Sequence, residues 1–281
     1  MKTSTDRILT THVGSLPRSQ AVTDVVFGKE QGTLTDDKLY HETIAAAVTE
    51  VVQRQVDTGI DIVSDGEMSK ISYATYISDR ITGFAGDTPR EPGQDLLDFP
   101  RFMQKLANAG ATAKYRRPRC VGNIEVKDLA PLQTDIANLQ AAVSAAGPTE
   151  AFMNAASPGV IALFQPNDFY ATQDEYLDAL AEAMRVEYEG VVAAGIILQI
   201  DAPDFGMGRH TMYKDRSVDE YLRMVQKHVE VLNHALRNVP PDRVRMHMCW
   251  GNYEGPHHHD IPMELLLPVM LKVNVGAQLI K

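Results

Sequence analysis

The sequence predicts an α/β fold of the (β/α)8-barrel type, and three observations carry that prediction. Polar-capped amphipathic helices alternate with short strands; the strands are nearly continuous apolar runs, as in a parallel sheet covered by helices; and several strands end in polar, reactive side chains. An open doubly wound sheet shares the alternation but gathers its functional groups at one switch point. A barrel builds its site from the C-terminal ends of many strands, so the pattern favours the barrel.

Taken in order, ILTTHVG at 8–14 is the first strand candidate. Thr35, Asp36 and Asp37 start a helix with the stripe Ile44, Val48, Val51, Val52 and Val56, which Gly59 ends. IDIVSDGE follows, a strand that terminates at Asp65, Gly66 and Glu67. Residues 68–117, with Tyr73, Tyr76, Phe84 and the Pro-rich DTPREPGQDLLDFP, are too long for a simple connection and read as an insertion, a lid or a subunit contact. RCVGNIEV at 119–126 and AFMNAASPG at 151–159 are further strand candidates. Thr172 to Glu175 is a capping box, opening a helix through Leu177, Leu180, Ala181, Met184 and Tyr188 to Gly195, and IILQIDAPD then ends its strand at Asp201. Ser217 to Glu220 is a second capping box; its helix carries Tyr221, Met224, Val225 and Val231, Pro240 and Pro241 stop it, and VRMHMC ends at His247 and Cys249. VNVGAQLI at 273–280 is the seventh strand candidate. With no eighth, the predicted barrel lacks its last helix, strand and helix, and open edges of that kind predict a homo-oligomer.

A chain of 281 residues with 44% hydrophobic content predicts one domain over 1–281 with the insertion at 68–117. The net charge of −10 argues against nucleic acid or an anionic membrane as partner and for a small molecule. The N-terminus MKTSTDRILTTHVGS has no apolar h-region and no run of eighteen apolar residues occurs, which predicts a cytoplasmic protein. Cys120 and Cys249 are the only cysteines and give no disulfide framework.

His247 and Cys249 are two apart on a strand, so imidazole and thiol emerge on one side, beside a Gly-containing loop. That is half of a zinc site, in which a catalytic ion keeps a position open for a substrate group such as a thiol. Glu67 reads either as a carboxylate capping the next helix or as a ligand for substrate. Asp201 either starts a turn or, emerging from IILQI, needs a partner for a buried charge. Ser15 and His12 flank Gly14, a turn residue, and His12 is placed to face substrate. His257, His258 and His259, in PHHHDIP, read as a solvated loop whose consecutive side chains diverge, and are the nearest replacement ligands for a metal. Cys120 reads as a buried apolar residue, and FGMGRH at 205–210 is no dinucleotide fingerprint, though Arg209 and His210 are placed to touch an anionic substrate.

Together, THVGSLPR at 11–18, SDGE at 64–67, SPG at 157–159, LQIDAPD at 198–204 and HMCWGN at 247–252 resemble the catalytic barrel of cobalamin-independent methionine synthase. The resemblance spans residues 8–281 in consistent order and is closer to the short single-barrel relatives, which include epoxyalkane:coenzyme M transferase. It implies Zn2+-dependent transfer of a methyl or other alkyl group to a thiol acceptor, within methionine and amino-acid biosynthesis for a homocysteine-like acceptor. His247 and Cys249 would be the catalytic metal ligands, with Ser15, Glu67 and Asp201 on the amino acid end of the acceptor. A coenzyme M-type alkyltransferase and an inactive, C-terminally truncated barrel that only binds are the rival expectations. In methionine synthases a Glu closing the seventh strand and a Cys closing the eighth complete the site. Here the Glu register falls at about Lys281 and the Cys lies past it, so the chain reads as truncated or as recruiting substitute ligands. The folate-binding N-terminal half of the full-length enzymes has no counterpart, leaving a folate, a methylcorrinoid protein or another compound as the alkyl donor.

Overall fold

The computed structural model describes residues 1–89, 92–108, 116–251 and 255–280. Its strands are β1 Ile62–Val63, β2 Phe84–Ala85, β3 Arg119–Cys120, β4 Glu150–Ala156, β5 Ile197–Asp201, β6 Val244–Met248 and β7 Ala277–Ile280. Its helices are α1 Gln20–Glu30, α2 Asp37–Asp57, α3 Gln94–Leu97, α4 Pro100–Asn108, α5 Ala130–Ala146, α6 Pro158–Phe164, α7 Gln173–Ala193, α8 Asp204–Met207, α9 Val218–Ala235 and α10 Met263–Met270. The main sheet is parallel in the order β1-β4-β5-β6-β7, and Thr11 joins its first edge by one parallel bridge to Ile62. Each strand lies beside the next one of the sheet in the chain, so no switch point interrupts it, as the barrel reading requires.

The predicted helices form for the predicted reasons. The Asp36 side chain accepts from Leu39 N at the start of α2. Full capping boxes, Thr172 with Glu175 and Ser217 with Glu220, begin α7 and α9. Two strand candidates behave differently. ILTTHVG contributes only the Thr11 bridge, and RCVGNIEV leaves the main sheet: its β3 pairs antiparallel with β2, Phe84 opposite Cys120. Glycine permits that excursion, because a Cβ at Gly83, whose φ is +90°, would sit 2.7 Å from the Gly122 carbonyl oxygen and 2.8 Å from that of Asn123.

Alternation along the strands gives the sheet two different faces. Leu198, Ile200, Val244, Met246 and Met248 turn outward into the main core, which includes Tyr188 and Val191 of α7 and Leu232 of α9. The inner face starts apolar, with Ile62, Phe152 and Ile197 packed around Met1. It then turns polar: Asn154 is in register with Gln199 and Gln199 with Arg245, and one layer further Asp201 is in register with His247. The Arg245 guanidinium stacks 3.7 Å from the Phe152 ring centroid, joining the apolar layer to the polar one. Among the described residues no helix is long and apolar enough to cross a membrane.

One buried ion cluster anchors the segment that follows β1. Arg80 pairs with Asp135 of α5 and, at 2.8 Å, with Glu187 of α7, and the Tyr76 hydroxyl donates to Glu187. All three charged groups are buried. Truncating Arg80 leaves two carboxylates buried without their cation, so Arg80→Ala is expected to cost about 3–5 kcal/mol in urea unfolding. A loss below about 1 kcal/mol would show that the cluster does not hold the segment around Tyr76 and Arg80 to α5 and α7.

Candidate active site

Glu67 owes its position to backbone geometry. Gly66 and Glu67 take consecutive left-handed conformations, φ 63° and 58°, and Glu67 is the one non-glycine residue of positive φ among the described residues. Such a conformation costs a side-chain-bearing residue about 1–2 kcal/mol and persists where surrounding bonds impose it. Here Ser64 Oγ accepts from Gly66 N at 3.0 Å, Asp65 Oδ1 accepts from Glu67 N at 3.0 Å, and Arg18 donates to the Glu67 carbonyl at 2.6 Å. The loop 11–18 reaches the same point because Gly14, with φ +141°, has no side chain: a Cβ there would lie 2.5 Å from both Glu67 Oε1 and Asn154 Nδ2.

Asp201 gathers the rest. Its Oδ2 accepts from Asn154 Nδ2 at 2.7 Å, and its Oδ1 accepts from Gln199 Nε2 at 2.8 Å and pairs with His247 Nδ1 at 3.3 Å. Asn154 Nδ2 also donates to the Val13 carbonyl at 2.9 Å. Two pure acceptors on that nitrogen fix the amide, so Asn154 Oδ1 points the other way and is buried without a hydrogen-bond partner among the described residues. His247 Nε2 is in the same state. Burial opposes the His247 charge, but the neighbouring Asp201 and Cys249 outweigh it and raise its pKa to about 9. Glu67 is also raised, to about 7, by burial first and then by the Asp201 carboxylate, with Lys70 opposing.

The structure therefore brings Glu67, Asp201, His247 and Cys249 into one connected group at the strand ends. Cys249 is a buried free thiol. His12 is committed elsewhere: its Nδ1 accepts from Gly14 N at 3.2 Å and its Nε2 bonds Gln55 Oε1 at 2.6 Å, while Gln55 clamps Ser64 through both backbone groups. Burial lowers the His12 pKa. Ser15 is exposed beside Gly14. Asn154, Gln199 and Arg245 belong to the site and went unread in the sequence. Their signal is period-two alternation, since 197, 199 and 201 share one face of β5, and 245, 247 and 249 one side of β6 and its end.

The donor set suits a zinc ion in kind. His247 offers a buried nitrogen that makes no hydrogen bond among the described residues, oriented from behind by a carboxylate on Nδ1, the usual arrangement of a metal-ligating imidazole, and Cys249 offers sulfur. Among the described residues no third His, Cys, Asp or Glu groups with these two. Lys281, where the third ligand falls by register, and Asn252 of HMCWGN lie outside the described residues.

Comparison with known proteins agrees with the geometry. The family model for the cobalamin-independent synthase catalytic domain matches residues 8–91, the stretch holding THVGSLPR and SDGE. A methionine synthase of Saccharolobus solfataricus is 27% identical over 258 residues, covering 91% of this chain and 67% of its own length. One of Sulfolobus acidocaldarius is 25% identical over 251 residues, covering 89% and 63%. The putative vitamin-B12 independent methionine synthase of Listeria monocytogenes superposes with a TM-score of 0.64 at 16% identity, over 97% of this chain and 73% of that one. The chain is similar to cobalamin-independent methionine synthases along most of its length. A B12-independent methionine synthase of Shewanella sp. W3-18-1, solved with selenomethionine, shares the fold at a TM-score of 0.58 and 18% identity, over 78% of this chain and 55% of that one. The family's parallel α/β barrel is the architecture whose strand ends carry the group described above.

The raised Glu67 pKa has a stability consequence with a definite sign. A carboxyl that titrates at 4.5 in the unfolded chain and about 7 in the fold costs nothing below pH 4.5, destabilises progressively as pH rises from 4.5 to about 7, and holds that full cost above it. Glu67→Gln removes that cost, so its stability relative to the parent is expected to improve by on the order of 2 kcal/mol between pH 5 and pH 8. Parallel stability curves for the two proteins across that range would contradict the burial of an ionisable group at this position.

Proposed function

We propose that the chain transfers a methyl or other alkyl group to a thiol acceptor of the homocysteine type, with Zn2+ held by His247 and Cys249. The observation that carries this reading is the buried His247 Nε2, turned away from Asp201, without a hydrogen-bond partner among the described residues, and two residues from the buried thiol of Cys249. Bound there, zinc supplies a thiolate at neutral pH from an acceptor thiol whose pKa in water is about 8.5. Asp201 orients the imidazole by accepting at Nδ1. Glu67 and the outward Asn154 Oδ1 present acceptors to an ammonium group, and Asp201 adds negative potential behind them. An acceptor ending in a sulfonate meets like charge at the same place, which disfavours the coenzyme M-type alternative. Ser15 and His12 lie on the loop that closes this end of the site, His12 fixing the loop through Gly14 and Gln55. The same reading takes residues 1–281 as one domain with 68–117 inserted, places it in the cytoplasm, and leaves the alkyl donor open among folate, corrinoid protein and other compounds.

Elemental analysis and transfer assays with homocysteine test the assignment. His247→Gln with Cys249→Ser is expected to abolish bound zinc at this site and alkyl transfer while leaving the far-ultraviolet circular dichroism intact. Glu67→Gln is expected to raise the KM for homocysteine about tenfold to hundredfold, the loss of one charge-assisted hydrogen bond. Transfer that survives the double substitution, or an acceptor preference for a sulfonate thiol, would overturn the reading.

A further inference from the structure

We propose a second metal site, for a divalent transition ion of the zinc type, built from His210, His257 and Asp260 with Asp95 orienting it. Nothing in it overlaps the His247 and Cys249 pair. The residues come from three separate parts of the chain: Asp95 from α3 in the insertion, His210 from the turn after β5, and His257 and Asp260 from the loop after β6.

PHHHDIP reads in the sequence as a loop of diverging, solvated side chains, and the structure corrects that. His258 and His259 both turn to Asp98 Oδ2, at 2.8 and 2.7 Å, and His257 Nδ1 lies 3.0 Å from Asp260 Oδ2. The partners that draw the side chains together are aspartates more than 150 residues away in the insertion, which local turn chemistry does not reveal.

The geometry is that of a ligand set more than of a simple ionic cluster. His210 Nδ1 lies 2.9 Å from Asp260 Oδ1 and 3.0 Å from Asp95 Oδ2, so two carboxylates converge on one nitrogen. A dication between these groups would meet a nitrogen and carboxylate oxygens at once. One donor atom from each of His210, His257 and Asp260 lies within 4.8 Å of the other two. Ligand atoms of a tetrahedral ion with bonds of about 2.0–2.2 Å are about 3.3–3.5 Å apart, a spacing reached here by small side-chain shifts. Asp95 and His210 are 0% and 1% exposed, so their charges are withdrawn from solvent. Asp95 is itself fixed, its Oδ1 accepting from His259 N at 2.8 Å and lying 3.0 Å from His258 Nδ1. Two imidazoles and a carboxylate suit zinc, cobalt or nickel better than calcium or magnesium. Because Asp95 rides on the insertion, an ion here would pin α3 over the loops that follow β5 and β6, and binding would register as folding stability.

The test uses the full chain, untagged, stripped with a chelator and carrying His247→Gln and Cys249→Ser, so that failure at the proposed active site cannot be mistaken for failure here. Zn2+ is titrated by calorimetry, and Co2+ by its visible absorption. One saturable equivalent with a rise in Tm is expected, with affinity at least about tenfold weaker in His257→Gln and in Asp260→Asn. His257 is partly exposed, so its variant reads binding without unfolding the chain. His258→Gln with His259→Gln is expected to change affinity less than threefold. No saturable binding in the stripped background, binding untouched by the His257 and Asp260 variants, or loss in the His258 and His259 variant instead would overturn the site.

Discussion

Asp201 stands 5% exposed at the end of β5 and draws side chains from its own strand and both neighbours: Asn154 from β4, Gln199 from β5, and His247 from β6. A carboxylate so placed must be hydrogen-bonded or neutral. Satisfying it decides the inner face of the sheet. Gln199, spending one end on Asp201, turns its carbonyl to Arg245 Nε at 2.8 Å, and Arg245 reaches Thr11 Oγ1 and the His12 carbonyl at 3.0 Å each. The chain of bonds thus runs from the His247 imidazole to the loop 11–18, and both Asn154 and Gln199 hold that loop by the Val13 carbonyl. Loop position, carboxylate position and imidazole orientation are therefore one constraint.

The architecture was legible because its signals are local. Thr172 with Glu175 and Ser217 with Glu220 are caps that work through neighbouring backbone groups, and the apolar outer faces of β5 and β6 repeat within each strand. α5 was missed although Pro131 near its start and Gly147, φ 65°, at its end are readable start and stop signals; its N-cap, Leu129, makes no side-chain cap to announce it. RCVGNIEV reads as a barrel strand by composition, and only the close backbone approach of Gly83 to Gly122 and Asn123 takes it elsewhere. That approach joins segments about forty residues apart.

The site divides along the same line. Glu67, Asp201, His247 and Cys249 end apolar runs, a one-dimensional pattern, and the structure gathers them. Asn154, Gln199 and Arg245 sit inside strands, where a polar residue looks like an interruption until the alternation assigns it to the inner face. His257, His258 and His259 carry the opposite lesson, because their partners Asp95, Asp98 and His210 come from other elements and local turn chemistry alone makes the loop look idle.

The distribution of buried cations explains why the strand ends can receive a ligand. Three basic side chains approach Glu67 and Asp201, and each is turned to a neutral acceptor. Arg18 donates to the carbonyls of Glu67 and Lys70, Lys70 donates to the Asn154 carbonyl, and Arg245 donates to Gln199, Thr11 and His12. Among the described residues, His247 is the only basic group that forms an ion pair with either carboxylate. A fold selecting for stability alone would set an arginine against Glu67, as Arg80 is set against Asp135 and Glu187 in the same protein. Leaving Glu67 strained at positive φ, raised in pKa and without an arginine or lysine ion pair keeps negative potential at the mouth of the sheet. A cationic ligand end arriving there would replace a missing internal partner, and its binding would recover the electrostatic cost that folding leaves at this point.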